Sequence, residues 1–268
     1  MPVAMSGVVM AALRILFVVI WTTGVVSTIA IFKFAGANTS SMRVQYCRGI
    51  CWLFGMDIVV HGQVSKDRPL LIASNHVSYL DILAFGAVTE LEFVSKADVA
   101  DWPVIGAMAR IGDTVFIERL RTRTAHARNG IAERLAAKRR LMLFPEATCG
   151  DGNRLLPFKS ALFTVAEPLS GDPAVTVQPA AIAYTRLNGM PLGFGWRSFF
   201  AWYGDMTLAS HLWRFLQLGQ TTVEIIFQDP IRDNGPNPGQ ADRKALSVTV
   251  EKASRAGFNS LLSGRMAL

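Results

Sequence analysis

One histidine and one aspartate are spaced so that they can work as a unit. Asn75-His76-Val77-Ser78-Tyr79-Leu80-Asp81 follows a short apolar run at 69–74 and precedes another, ILAFGAV, at 82–88. Within one continuous helix, His76 and Asp81 would point about 140° apart. Ser78 followed by an acid three residues later has capping-box spacing, so the helix is expected to start after His76. The histidine then sits on a loop and the aspartate in a first helical turn, where its carboxylate can reach back to the imidazole. A histidine held this way has a fixed tautomer and suits general-base catalysis near neutral pH. Taken alone, H-x-x-x-x-D also fits a loop histidine beside an ordinary first-turn acid.

Two further strand endings carry chemistry. Gly112-Asp113-Thr114-Val115-Phe116-Ile117-Glu118-Arg119 ends in a guanidinium, whose fork matches phosphate. Leu143-Phe144-Pro145-Glu146-Ala147-Thr148-Cys149-Gly150 places Glu146 where a strand gives way to a turn, and Leu156-Pro157-Phe158-Lys159 follows closely. Singly, each is equally a surface ion pair or a turn residue. Three such endings converging at one edge of a sheet would form a site.

The elements that must position them are short. Runs rich in branched apolar residues at 69–74, 91–95, 114–118, 141–144, 175–184 and 222–228 alternate with longer helical patterns. Such runs read as strands buried on both faces, which gives an α/β architecture: a mixed, mostly parallel sheet sandwiched by helices. A loop at 229–239 leads into a final helix near 240–262. In open sheets of this kind, ligands gather beyond the carboxyl ends of the strands.

Composition narrows the class. The 268 residues carry a formal charge of +7, and 51% are hydrophobic while only 18% are charged. An average soluble domain has about 25% charged residues, so disorder is excluded and extra apolar surface needs a place to go. Three cysteines cannot all pair, which excludes a small disulfide scaffold. Residues 15–32 run without a charge, between Arg14 and Lys33. That length approaches the roughly 30 Å hydrocarbon thickness. It exceeds the core of a cleavable signal peptide and closes on large residues, so a retained N-terminal membrane helix is expected. Lys33, Arg43 and Arg48 after it, against Arg14 before it, place the bulk of the chain in the cytoplasm. A second apolar stretch, 50–60, is too short to span but could lie in the interface. The helix could therefore cross the bilayer or dip into one leaflet as part of a helix pair. The expected division is 1–60, a membrane-associated helical segment, and 61–268, a catalytic domain.

Several alternatives lack their residues. There is no G-x-S-x-G nucleophile elbow and no H-E-x-x-H zinc helix. Cys47 and Cys51 have no histidine nearby and read as reduced cytoplasmic thiols, so no metal and no cofactor are expected. His61, His126 and His211 have no motif partner. The basic run between Arg119 and Arg140 fits a solvated helix face, or attraction to anionic lipid or to the phosphates of a carrier. It lacks interleaved aromatics, so nucleic acid is not an expected partner. The stretch 196–216 mixes tryptophan with arginine and fits either a lipid interface or an aromatic core cluster.

NHVSYLD, VFIER, FPEAT and the Val177-Gln178-Pro179-Ala180 strand together resemble the four ordered blocks of the glycerolipid acyltransferase family, which includes 1-acylglycerol-3-phosphate acyltransferases. The blocks cover residues 69–185. The resemblance implies a glycerolphosphate acyltransferase-like fold and acyl transfer from a thioester to the free hydroxyl of a lysolipid. His76 would be the base and Asp81 its orienter, with Arg119, Glu146, Thr148 and Lys159 binding substrate. The donor would be acyl-CoA or acyl carrier protein. A thioester is already activated, so a base and oxyanion donors suffice without a covalent intermediate. Ala147 stands where the family usually has glycine, which asks whether the turn keeps its shape, and Cys149 replaces a common arginine. AWYGDM, HLWRFL and TCGDGNRLLPFKSALF resemble a bacterial branch that also includes lyso-ornithine lipid O-acyltransferases. The expected acceptor is 1-acylglycerol-3-phosphate, giving phosphatidic acid; the alternative is a lyso-aminolipid such as lyso-ornithine lipid. A non-catalytic membrane-binding protein is the less favoured third reading. The expected location is the inner, cytoplasmic membrane with the catalytic domain facing the cytoplasm.

Overall fold

A computed structural model describes residues 5–96, 115–117, 133–166, 175–232 and 242–264. Its sheet has the order β1-β8-β6-β2-β5-β3-β4, formed by β1 (Met56–His61), β2 (Leu70–Ala73), β3 (Glu92–Lys96), β4 (Val115–Ile117), β5 (Arg140–Leu143), β6 (Thr176–Leu187) and β8 (Thr221–Phe227), while a short β7 (Met190–Pro191) pairs antiparallel with β6. Strands β2 to β6 run parallel to one another. β8 runs antiparallel to β6, and β1 runs parallel to β8. The sheet is therefore mixed and mostly parallel, and the six expected strands lie within a few residues of their predicted bounds.

β2 shows why the centre is stable. All four of its residues are buried, and their side chains alternate between two cores. Leu70 and Ile72 join Phe85, Ile182 and Phe215 on one face. Leu71 and Ala73 join Leu141, Val177, Val250 and Phe258 on the other. The first core is covered by α2 (Ser40–Leu53), α3 (Leu80–Val88) and α5 (Leu208–Leu216), which follows the short α4 (Phe194–Arg197). The second is covered by α6 (Arg243–Ser263) and by a 3-10 segment, Ser160–Ala166. Asp242 caps α6 by accepting from the Lys244 amide at 2.9 Å, and Gly264 ends it with a left-handed φ of 65°.

The N-terminal segment forms α1 (Met5–Phe34), long and apolar enough to cross a membrane, with a broad exposed apolar face that includes Leu16, Phe17, Val19 and Ile20. It packs against α2, and α2 packs against α3, with a glycine at each contact. A Cβ on Gly49 would collide with the Trp21 indole, and one on Gly86 would sit 2.8 Å from Cys47 Sγ. Arg14 donates to the carbonyls of Leu216 and Leu218 at 2.8 and 2.7 Å, tying α1 to the end of α5. The apolar stretch 50–60 does not form one interfacial segment. Its first part completes α2, Gly55 turns the chain with φ 71°, and residues from Met56 hydrogen-bond along β8 within the sheet. Hydrophobicity alone cannot separate a helix end from an edge strand in so short a run.

Strand direction sets the geometry of function. The carboxyl ends of β2, β5 and β6 share an edge with the amino ends of β1 and β8. The α2–β1 and α5–β8 connections therefore reach the same edge as His76.

Candidate active site

β2 delivers the chain to Ser74 and Asn75, and Asn75 locks the loop onto β6. Its amide group donates to the Ile182 carbonyl at 3.0 Å and accepts from the Ile182 amide at 2.9 Å. His76 follows, and α3 starts only at Leu80. The expected capping box is half realised. Asp81 reaches back to accept from the amides of Ser78 at 2.9 Å and Val77 at 2.7 Å, whereas Ser78 Oγ takes the Leu80 amide at 3.4 Å. These bonds turn Asp81 Oδ2 toward the loop, where it accepts from His76 Nδ1 at 2.8 Å. Tyr184 donates its hydroxyl to Asp81 Oδ1 at 2.8 Å. Four donors thus converge on one fully buried carboxylate. The side chain of His76 keeps 17% exposure while that of Asp81 has none. A proton fixed on Nδ1 by Asp81 leaves Nε2 as the basic nitrogen.

The ring is also held from its face. Phe144, just past β5, stacks on it with centroids 4.0 Å apart and planes 14° from parallel. Glu146 secures the backbone: Oε2 accepts from the His76 amide at 2.8 Å and Oε1 from the Leu156 amide at 2.6 Å. Burial pushes the Glu146 carboxyl up to about 7, against the two backbone donors that favour its charge. The Gly150 amide donates to the His76 carbonyl at 2.8 Å, so the 146–150 loop wraps the histidine. Within it, Cys149 lies close enough to the His76 ring to influence its charge. Burial opposes the charged imidazolium, but Cys149 and Asp81 outweigh it and raise the ring's pKa above the ordinary imidazole value.

The predicted residues are therefore placed as follows. His76, Asp81 and Glu146 come together directly. Thr148 is exposed on the loop that wraps His76, and Lys159 is exposed beside it, its amide donating to the Pro145 carbonyl at 2.9 Å. Arg119, Arg121, Arg123 and Arg128 lie outside the described residues, whereas Arg134 and Arg139 of the basic run pair with Glu92. Ala147 answers the question its glycine replacement raised: the turn keeps a left-handed φ of 58° with a methyl group present, a conformation costing about 1 kcal/mol for an L-residue. Cys47 is half-buried and Cys51 buried, and burial pushes both thiols up to about 12. His61 pairs with Glu224 at 2.7 Å, and His211 Nδ1 meets the Tyr79 hydroxyl at 3.0 Å, both away from the His76 ring.

Sequence reasoning passed over Tyr184, Phe144 and Asn75, and took Cys149 only as the replacement of an arginine. Phe144 and Cys149 were within reach, since they flank Pro145-Glu146 in the same short string. Tyr184 carries no local signal, because its partner is 103 residues away.

Comparison with known proteins gives the same picture. Residues 57–183 match the acyltransferase family model, a span that contains His76, Asp81, Phe144, Glu146 and Cys149. The chain is 43% identical over 222 residues to the lyso-ornithine lipid O-acyltransferase of Brucella abortus (strain 2308), covering 81% of this chain and 82% of that one. It is 32% identical over 225 residues to the 1-acyl-sn-glycerol-3-phosphate acyltransferase of Neisseria gonorrhoeae, covering 82% and 83%. The crystal structure of the 1-acyl-sn-glycerophosphate (LPA) acyltransferase from Thermotoga maritima shares the fold, with a TM-score of 0.63 at 18% identity over 96% of this chain and all of that one. With a buried carboxylate aiming an accessible imidazole at the carboxyl edge of this sheet, the chain is an O-acyltransferase and belongs to the glycerolipid acyltransferase family.

Proposed function

We propose that the protein acylates the free hydroxyl of a lysolipid, with a thioester of coenzyme A or acyl carrier protein as donor. The observation that carries this is the Asp81–His76 pair, which leaves Nε2 as a base at the open edge of the sheet. Nε2 takes the acceptor's hydroxyl proton as the oxygen attacks the thioester carbonyl. When the tetrahedral intermediate collapses, the imidazolium returns that proton to the departing thiolate. Asp81 stabilises the charge that His76 carries between these steps. Glu146, with both oxygens committed to backbone amides, is proposed to position the loop, while Thr148, Lys159 and Arg119 are proposed to meet the acceptor and donor headgroups.

We infer that lyso-ornithine lipid is the acceptor, which reverses the order expected from sequence. The support is the 43% identity to the Brucella enzyme against 32% to the Neisseria glycerol-phosphate enzyme. The second reading, 1-acylglycerol-3-phosphate, keeps the support of those glycerol-phosphate relatives. Purified protein offered both lysolipids with both donor types, and read by mass spectrometry, is expected to make diacyl ornithine lipid as its main product. Phosphatidic acid as the main product would establish the second reading. Free fatty acid alone, or no product, would remove both.

The α1–α2 hairpin is proposed to lie in one leaflet at the cytoplasmic face of the inner membrane. Arg14, well inside α1, bonds to catalytic-domain carbonyls, and Trp21 Nε1 donates to the Tyr46 carbonyl of α2 at 3.3 Å. These bonds fasten the first part of α1 to the catalytic domain and its middle to α2.

The environment of His76 predicts a pH dependence. Its raised pKa means that free base accumulates only above the ordinary imidazole range, so kcat/KM should climb as pH rises into the alkaline region. Cys149 adds to that elevation, so Cys149→Ser should lower the pKa and move the rising limb to lower pH. A limb that stays in place in the variant would show that the thiol does not tune the base.

A further inference from the structure

We propose that the catalytic domain carries a second membrane contact of its own, an aromatic ledge that seats the active-site edge on the bilayer interface. The inference rests on the hairpin lying in the membrane and extends it to a surface some 180 residues further along the chain. Six large apolar side chains, Met190, Phe194, Trp196, Tyr203, Met206 and Trp213, are exposed within one short stretch, with Met190 at 72% and Phe194 at 73%. They do not come from one amphipathic helix: β7, α4, the loop after it and α5 each contribute. Single exposed apolar residues are ordinary, but Trp196, Tyr203 and Met206 line one cleft, and apolar surface gathered in this way marks a place that meets something apolar.

Three observations identify that partner as lipid. The first is continuity. α5 buries His211, Phe215 and Leu216 while leaving Trp213 and Arg214 outside, and its final turn is where Arg14 fastens α1. The ledge therefore adjoins the helix with the longest exposed apolar face in the molecule. The second is composition. Between 185 and 220, Arg186, Arg197 and Arg214 stand against a single acid, Asp205, and Arg214 lies 4.5 Å over the Phe199 ring. Tryptophan, tyrosine and arginine together suit the headgroup layer, where an apolar ring and a charge can both be solvated. The third is connection to the site. The Trp202 amide donates to the Val77 carbonyl at 2.9 Å, and Tyr79 on the His76 loop bonds to His211 of α5. A cleft of about 300 Å³ lined by Trp196, Phe199, Tyr203, Met206, His211 and Arg214 opens beneath the ledge. The surface that would touch lipid is thus braced directly against the loop that holds the base, and an acceptor drawn from the leaflet need not cross water.

Tryptophan quenching in the full chain tests this. The purified protein is bound to phosphatidylglycerol vesicles with plain or brominated acyl chains, beside a Trp196→Phe/Trp213→Phe double variant. Both proteins also carry Trp102→Phe and Trp202→Phe, so the difference in emission between them isolates Trp196 and Trp213 while Trp21 and Trp52 report on the hairpin. Brominated chains are expected to remove about half or more of that difference, as interfacial insertion requires. If the double variant's remaining emission is quenched while the difference is the same in both lipids, the hairpin alone is in the membrane and the ledge is overturned. If neither is quenched, the chain does not enter the bilayer, and the hairpin reading falls together with the ledge.

Discussion

His76→Ala is expected to lower turnover by about 10²–10⁴ while leaving the protein folded. The separation of these effects follows from how the loop is held. Among the described residues, the His76 side chain bonds to Asp81 and stacks on Phe144. The backbone at the same residue is fixed independently, by Glu146 at the amide and Gly150 at the carbonyl, and Asn75 pins the preceding residue to β6. Removing the imidazole therefore removes the base without releasing the loop. Initial rates on lysolipid and a melting curve on the same preparation decide the matter. A folded His76→Ala protein with nearly full activity would exclude His76 as the base.

What the sequence disclosed followed from locality. The strands were legible because β2, β5 and β6 are covered on both faces and so concentrate branched apolar residues into short runs. The His76–Asp81 pair was legible because five residues separate its members and the helix start could be inferred between them. Glu146 was visible as an acid at a strand end, but its partners are backbone amides, which have no residue type to read. Tyr184 sits in a strand that was predicted, yet its hydroxyl meets Asp81 only because β6 lies beside β2 in the sheet. The stretch 50–60 misled for a related reason. Ile50, Cys51, Phe54 and Met56 are buried in the core while β1 pairs with β8, and a strand at the sheet edge that follows a helix by three residues has the same composition as an interfacial segment. Long-range neighbours decided each of these cases.

Asp81 is where loss of charge and loss of fold should come apart most clearly. Its buried carboxylate accepts from His76 Nδ1, the Val77 and Ser78 amides and the Tyr184 hydroxyl. Asparagine keeps the shape but brings one amide nitrogen that must donate. Two backbone amides and the imidazole crowd the Oδ2 position, so the asparagine oxygen should take that place and the nitrogen should face Tyr184. A phenol can reverse its hydrogen bond and accept, because its hydroxyl rotates. Asp81→Asn is therefore expected to fold with little loss and to hold the His76 tautomer. What it lacks is the negative charge that stabilises the imidazolium, and losing one charge-assisted bond of about 1.5–3 kcal/mol corresponds to a roughly ten- to hundredfold fall in kcat/KM. The rising limb of its pH profile should also move to lower pH, since Asp81 contributes to the raised pKa of His76. Asp81→Ala behaves differently, because it leaves the buried donors facing a void. With each unsatisfied buried donor costing about 1–3 kcal/mol, the total should reach on the order of 3 kcal/mol or more. Adding Tyr184→Phe to Asp81→Asn removes the hydroxyl that faces the new amide nitrogen, so the double variant should be less stable than the two single changes predict together. Denaturant unfolding of the four variants, beside their rates, tests the set. Asp81→Ala as stable as Asp81→Asn, or Asp81→Asn with undiminished kcat/KM, would show that the four-donor clamp does not govern the base.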